Sequence, residues 1–450
     1  MKLIYGVHDK PKFPQLLIFA IQQLLAIMTA TLVVPVIIGN NMSSAAALVG
    51  AGLGTLVYLA FTKMQSPVFL GSSFAFIGSM FAAFAGGVSM SLGYLGLIIG
   101  AIFAGLVYVV IAIIVKFAGV KWINKIMPAV VIGPTVALIG LSLAGNAVGD
   151  ICKGSVPDVA ASPLITVLCG LITLVVVVLC STYGKKTLKL IPFIIAILAG
   201  YAVTAIFTAI GYAFELDALK ILNIEPFKAL VADGVTLKTF ISVPDFTFLT
   251  AIDGIKEITP AYISTIAVAY IPVAFVVFAE HIADHKNISS IIEEDLLENP
   301  GLHRTLLGDG VGSMVGAIFG GCPNTTYGES VGCVAITRNA SVATIALAAI
   351  LAILIAFISP FIAFVNSIPS CVMGGVCMAL YGFIAVSGLK MVQTVDLGQS
   401  KNLFVVSTIL ISGIGGLTLQ FGQITITSIA CALILGIIVN LMVSKAENEQ

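Results

Sequence analysis

The sequence predicts an all-α polytopic membrane protein of about fourteen transmembrane segments, arranged as two halves of opposite orientation. Three observations predict it. Of the 450 residues, 59% are hydrophobic and 9% charged, against about 25% charged in a soluble globular chain, so the solvent for this much apolar surface is lipid. The apolar residues fall into runs of about 20, the length that crosses the hydrocarbon of a bilayer. Two of these runs, about half a chain length apart, are broken by Pro, Gly and hydroxyl residues in the same order. The abundant glycine (44 residues) suits close helix packing in lipid. A formal net charge of zero gives no sign of a nucleic-acid partner.

Taken in order, the runs of the first half lie at 14–38, 44–62, 68–86, 91–115, 126–146, 162–182 and 189–212. Those of the second half lie at 260–284, 305–320, 322–339, 341–365, 369–389, 402–419 and 425–443. The polar stretch before them, through Pro14, enters the first run without a small-residue cleavage site, so it reads as a mature start and not as a signal peptide. Lys and Arg set the orientation. With the N-terminus inside, only Lys153, Lys220, Lys228, Lys238 and Lys256 of the 21 basic residues fall outside, and four of those share one loop. Both termini are therefore expected in the cytoplasm. That loop, 213–258, alternates in part (V-T-L-K-T-F-I-S-V-P-D-F-T-F) and is expected to form short strands or to lie on the membrane surface, with no separate domain.

The two broken segments read S-P-V-F-L-G-S-S-F-A-F (66–76) and C-P-N-T-T-Y-G-E (322–329). Each has a Pro, then two hydroxyl residues and an aromatic. β-Branched and aromatic residues beside Gly suit extended backbone better than helix. Backbone of that kind is tolerated at membrane depth only where it is buried in protein or lines a cavity. Transporters place their substrate site near the midplane where such segments meet.

Of the 21 acidic residues, Glu280, Asp284, Glu329 and Asp309 alone fall in or against apolar runs. A bare carboxylate in hydrocarbon is costly, so each is expected to face an interior cavity. Burial disfavours the charged form of a carboxylate, and one that takes up a proton near neutral pH is a natural proton carrier. The stretch E-H-I-A-D-H (280–285) puts His281 and His285 one turn apart, a spacing that binds zinc elsewhere. Because Lys286 follows at once, His and Asp here are read instead as solvated residues at the cytoplasmic end of a span, and no metal is assigned. Gly312, Gly316 and Gly320 repeat every four residues along one face, the pattern of close helix packing. The eight cysteines show no metal-like spacing, and most sit in apolar runs as small buried hydrophobes.

Six stretches carry a family likeness: L-G-S-S-F-A-F-I (70–77), A-E-H (279–281), N-P-G-L-H-R (299–304), P-N-T-T-Y-G-E (323–329), V-G-C-V-A-I-T-R (331–338) and V-M-G-G-V (372–376). On these the chain resembles the nucleobase–ascorbate transporter (nucleobase:cation symporter) family, most of all its bacterial uracil permeases. The resemblance implies a seven-plus-seven inverted repeat with short antiparallel strands in segments 3 and 10. It implies a core domain from 1–118 and 259–366 and a gate domain from 119–212 and 367–450, with 213–258 as the extracytoplasmic loop. It places ring-binding carboxylates at Glu280 and Glu329, backbone contacts to the base at Phe74 and Gly328, and pocket-lining positions at Ala30 and Tyr327. It further implies a homodimer in the cytoplasmic membrane and proton symport, with the proton as coupling ion and no other cofactor. An acid at 329 suits uracil better than the amide that purine carriers of the family often hold there. Where the family pattern has His one turn after the first Glu, this chain has Asp284, which leaves the coupling proton open among Glu280, Asp284 and His281. Ser330 stands where Asn is common, and Gln22-Gln23 where Gln-His is usual.

The expected function is therefore a proton-coupled uracil importer that moves its core against its gate. The rivals are a purine permease for xanthine, urate or guanine, an anion transporter of the same fold, and an embedded metallohydrolase built on the E-H-I-A-D-H stretch. The carboxylates at 280 and 329 argue against an anion site, which would use helix N-termini and few acids.

Overall fold

A segment that crosses lipid must close its backbone hydrogen bonds within itself, which leaves the helix as the default. The computed structural model describes residues 3–119, 122, 127–185, 187–232, 234–421 and 424–446, and they are mostly helical. The first half holds α1 (Phe13–Ile38), α2 (Ser44–Phe61), α3 (Ile77–Ala83), α4 (Met90–Ala118), α5 (Ala129–Ser142), α6 (Ala144–Ile151), α7 (Pro163–Tyr183) and α8 (Pro192–Ala213). The second holds α9 (Pro260–Ile292), α10 (Leu302–Gly320), α11 (Gly328–Thr337), α12 (Val342–Ile355), α13 (Ser359–Ser367), α14 (Ser370–Val392), α15 (Ser400–Ile414) and α16 (Ser428–Ala446). Eight helices among the described residues are long and apolar enough to cross a membrane: α1, α2, α4, the continuous pair α5–α6, α7, α8, α9 and α14. Shorter apolar helices at Phe74–Gly87, α12, α15 and Ser428–Ser444 accompany them.

Helix starts follow local chemistry. Ser43 Oγ accepts from Ala46 N at 3.2 Å before α2, Ser89 Oγ from Leu92 N at 3.1 Å before α4, and Thr259 Oγ1 from Tyr262 N at 3.2 Å before α9. Each satisfies one of the donors a helix leaves unpaired at its N-terminus. Pro163, Pro192 and Pro260 open their helices, where a missing N–H costs nothing.

The broken segments meet. β1 (Leu70–Ser72) and β2 (Asn324–Thr326) pair antiparallel, with Leu70 opposite Thr326, Gly71 opposite Thr325 and Ser72 opposite Asn324. The ladder continues through Tyr327 N to Phe69 O at 3.1 Å and Ser73 N to Pro323 O at 2.9 Å. The two segments are thus paired with each other over 69–73 and 323–327, Phe74–Phe76 turning into a short 3-10 helix, and every residue of β1 and β2 is buried.

The helices pack in two groups. In one, α2 and α10 lie against each other, with α4 against α9 and α10, and α1 against α2 and α12. In the other, α14 packs on α5, α6 and α7, α15 packs on α5 and α16, and α8 packs on α7. The Gly repeat does what its spacing predicts. A Cβ on Gly316 would run into the Asn324 side chain, one on Gly50 into the Gly316 carbonyl, and one on Gly54 into the Gly312 carbonyl. Asn324 Nδ2 then donates to Gly50 O at 3.0 Å, tying β2 to α2.

Three expectations are corrected. The predicted span 341–365 is two helices, α12 and α13, because Pro360 at the start of α13 cannot continue the first. Of the two readings of the outer loop, the one as short strands gives way among the described residues to short helices, such as Leu237–Phe240 and Thr247–Gly254, with an isolated bridge between Ile241 and Ile358. Leu419, Thr425 and Ile426, assigned to the facing ends of the last two spans, lie instead in two antiparallel paired strands, β3 (Leu419–Phe421) and β4 (Ile424–Ile426), the second of them wholly β-branched.

Candidate functional site

Three elements converge where β1 and β2 cross. The first is α9, which passes β2 so that Asp284 Oδ2 accepts a hydrogen bond from Thr326 Oγ1 at 2.9 Å. The second is α11, which begins at Gly328 directly after β2 and therefore carries Glu329 in its first turn. The third is α1, whose Gln23 Nε2 donates to Ser330 Oγ. Ser330 Oγ also accepts from Phe69 N at 3.0 Å, so one hydroxyl joins α1, the approach to β1, and α11.

A cavity of about 310 Å³ opens at this junction. Glu280, Asp284, Gly328 and Glu329 line one side of it, and Ala283 and Asn287 continue that wall along α9. Val136, Phe193, Leu380, Phe383, Ser387 and Met391, from α5, α8 and α14, face them. One wall thus comes from each helix group. No Lys or Arg lines the cavity among its described residues, so three carboxylates share it without a cationic partner in the lining. A cavity of a few hundred Å³ with apolar walls and a few convergent polar groups is the usual form of a small-molecule site.

The remaining predicted residues lie apart from this lining. Ala30 is buried in α1. Tyr327 is buried with its hydroxyl donating to Ser72 O at 2.8 Å, and its ring fills the space a side chain at Gly71 would need. Phe74 is buried with its ring edge-on to Tyr381 of α14, 5.9 Å between centroids. That contact joins the two helix groups.

The reading of His281, Asp284 and His285 as solvated end residues is overturned. All three are buried, because α9 runs on to Ile292, two turns past Lys286. His281 bonds Asp309 Oδ2 through Nδ1 at 2.7 Å and Thr305 Oγ1 through Nε2 at 2.9 Å. His285 Nε2 bonds the Tyr58 hydroxyl at 2.7 Å, and that hydroxyl also bonds Ser66 Oγ at 2.7 Å. The two imidazoles stack on each other, 4.0 Å apart. Among the described residues no group of three or more His, Cys, Asp or Glu side chains forms a metal-binding cluster. Glu280 and Asp284 therefore face the cavity, while the histidines bolt α9 to α2 and α10. Sequence reasoning missed Thr326, Tyr58, Asn287 and Ser387. Asn287 had a legible signal, since 280, 284 and 287 fall on one helical face.

Comparison with known proteins adds an independent line. The model of the Permease family matches residues 14–422. The uracil permease of Bacillus caldolyticus is 39% identical over 445 residues, covering 98% of this chain and 95% of the relative. The uracil permease of Bacillus subtilis is 38% identical, covering 100% and 97%, and that of Escherichia coli K12 34%, covering 96% and 92%. Among solved structures, the transmembrane domain of the cyanobacterial bicarbonate transporter BicA superposes with a TM-score of 0.60 at 12% identity, covering 97% of this chain and all of that one. The anion transporter SLC26A9 gives 0.64 at 12%, covering 96% and 66%. At such identity these two report the fold alone.

Proposed function

The chain belongs to the Permease family of multi-pass membrane transporters, and from that premise we propose that it is a proton-coupled importer of uracil in the cytoplasmic membrane. The observation that carries the reading is the cavity in which Glu280, Asp284 and Glu329 meet beside the paired strands. Uracil is planar and uncharged near neutral pH, with two N–H donors and two carbonyl acceptors. Carboxylates are acceptors when ionised, so Glu280 and Glu329 take the N–H groups, while the backbone N–H of Gly328, which lines the cavity, supplies a donor to a carbonyl. Full-length relatives named uracil permeases support the choice of base.

Coupling follows from charge. Three carboxylates in one cavity repel one another and favour taking up a proton. Asp284 is the coupling residue in this reading, since it lines the cavity and bonds the strand that precedes Glu329. His281 is set aside because it is fully buried and bonded to Asp309 and Thr305. The two helix groups correspond to a core (α1–α4 and α9–α13) and a gate (α5–α8 and α14–α16), each half contributing seven segments in inverted orientation, and the protein works as a homodimer with both termini inside. The cavity is lined from the C-terminal half of α9 and from α14 around and beyond its middle, the ends that carry Lys286 and Lys390, so this conformation faces the cytoplasm. The Phe74–Tyr381 contact closes the opposite side.

The test is uptake of labelled uracil into proteoliposomes, with and without a proton gradient acid on the outside, beside Glu280→Gln and Asp284→Asn. Wild type should accumulate uracil only with the gradient. Glu280→Gln should lose uptake, and Asp284→Asn should equilibrate uracil without accumulating it. Accumulation by Asp284→Asn would move the coupling proton elsewhere, and uptake of a purine in place of uracil would leave the family standing and remove the substrate.

A further inference from the structure

Residues 4–9, ahead of α1, are held in place. Ile4 N donates to Arg338 O at 2.8 Å, Ala340 N to Tyr5 O at 2.9 Å, and Val342 N to Val7 O at 3.1 Å, with Tyr5 and Asn339 forming a parallel bridge. Ser341 Oγ adds a bond to Asp9 O at 2.6 Å. These residues thus run as an added strand along the connection that follows α11. The other side of the segment grips α1. Tyr5 donates its hydroxyl to Gln15 at 2.7 Å and sets its ring edge-on to Phe19, 5.9 Å away, while Val7 is buried in the main hydrophobic cluster. The connection it holds is itself internal: Asn339, Ala340 and Ser341 are all buried.

Residues 4–9 add to what fixes the far end of that helix, where Val334 is buried and Asn339 Nδ2 donates to Thr344 Oγ1 at 2.9 Å. α11 has ten residues, and Arg338 ends it in the left-handed region at φ 56°. An isolated helix of that length is marginal, so its direction depends on what grips its two ends. At its start, Ser330 is gripped by Gln23 of α1 and by Phe69 N. At its finish the grip is residues 4–9, again anchored on α1.

We infer that residues 4–9 are a positioning strap of the substrate site: they fix the far end of α11 against α1, and so hold Glu329 in register with Glu280 on the same wall of the cavity. The inference rests on the reading of Glu329 as a solute-binding carboxylate. Strand addition of this kind acts through main-chain bonds, so the informative variant removes a main-chain donor. Ile4 suits this because its side chain is 59% exposed and contributes little by packing.

In the full chain, Ile4→Pro combined with Ser341→Ala deletes two of the strap's bonds, and Ile4→Ala keeps the Ile4 donor as control. Amide hydrogen exchange across 328–337 should quicken several-fold in the double variant and not in Ile4→Ala. The KM for uracil should rise about fivefold with Vmax little changed, the loss expected for one or two hydrogen bonds. Unchanged exchange in α11 would show that the strap does not hold it, and the inference falls. Faster exchange with an unaltered KM, while Glu329→Gln in the same assay loses affinity, removes the positioning role and leaves the binding role of Glu329 intact. If Glu329→Gln binds like wild type, the reading of Glu329 fails and the strap's function falls with it.

Discussion

The Tyr58 hydroxyl bridges His285 Nε2 and Ser66 Oγ deep among apolar helices, 2.7 Å from each. Removing it leaves an imidazole nitrogen and a serine hydroxyl without that partner, and a buried polar group stripped of its partner costs about 2 kcal/mol. Tyr58→Phe should therefore lower the midpoint of thermal unfolding in detergent while leaving the KM for uracil within twofold, since Tyr58 does not line the cavity. A rise in KM without loss of stability would instead place the Tyr58–His285 pair in the transport cycle. Gly328 gives a second test of the site's geometry. A Cβ there would come no nearer than 3.6 Å to Asp284 Oδ1, ordinary contact for folding, yet it would project at the cavity wall. Gly328→Ala should fold like wild type and bind uracil several-fold more weakly, as isothermal titration would report. Equal affinity would mean that the solute does not approach this residue.

Close approach of α2 and α10 carries much of the element-level argument. Gly54 faces the carbonyl of Gly312 and the Asn324 side chain, so a side chain there meets backbone that cannot step aside. Gly54→Val should abolish monodisperse protein on size exclusion, the cost of overpacking a filled interface. Gly332 of α11 meets nothing within 4 Å, so Gly332→Ala should be neutral or slightly stabilising. Much of this was legible in sequence. The Gly312, Gly316 and Gly320 spacing announced the helix contact, and the Pro, hydroxyl and aromatic pattern at 66–76 and 322–329 announced extended backbone. What sequence periodicity did not carry was partnership. Nothing at 280–285 shows that Asp309, 28 residues on, captures His281, so a cluster that reads as a solvated helix end is buried. Nor does polarity before Pro14 reveal the pairing with 338–342, because main-chain bonds leave no side-chain signature. The pairing of β3 with β4 was hidden for a related reason: three-residue strands between two apolar runs are too short to show a period of two.

The whole molecule turns on how its two helix groups face each other across the cavity. One contributes Glu280, Asp284 and Glu329, the other mostly apolar side chains with Ser387 among them. In the proposed cycle, solute passes between the open side and the far side only if one group moves relative to the other, and the contact that would open on the far side is Phe74 against Tyr381. The polar residues that continue the cavity away from that contact, Asn287 and Ser387, therefore mark the open route. A cysteine at Ser387, in a background whose native cysteines are replaced, should react with a membrane-impermeant thiol reagent in inside-out vesicles and stay unreactive in intact cells. Uracil should slow the reaction, because occupancy of the carboxylate end draws the walls together. Labelling from the outside of cells would reverse the assigned orientation of the cavity. Labelling from inside that uracil leaves untouched would keep the orientation and count against uracil in this cavity, since in the proposed cycle a solute that favours one arrangement of the walls shifts the protein toward it.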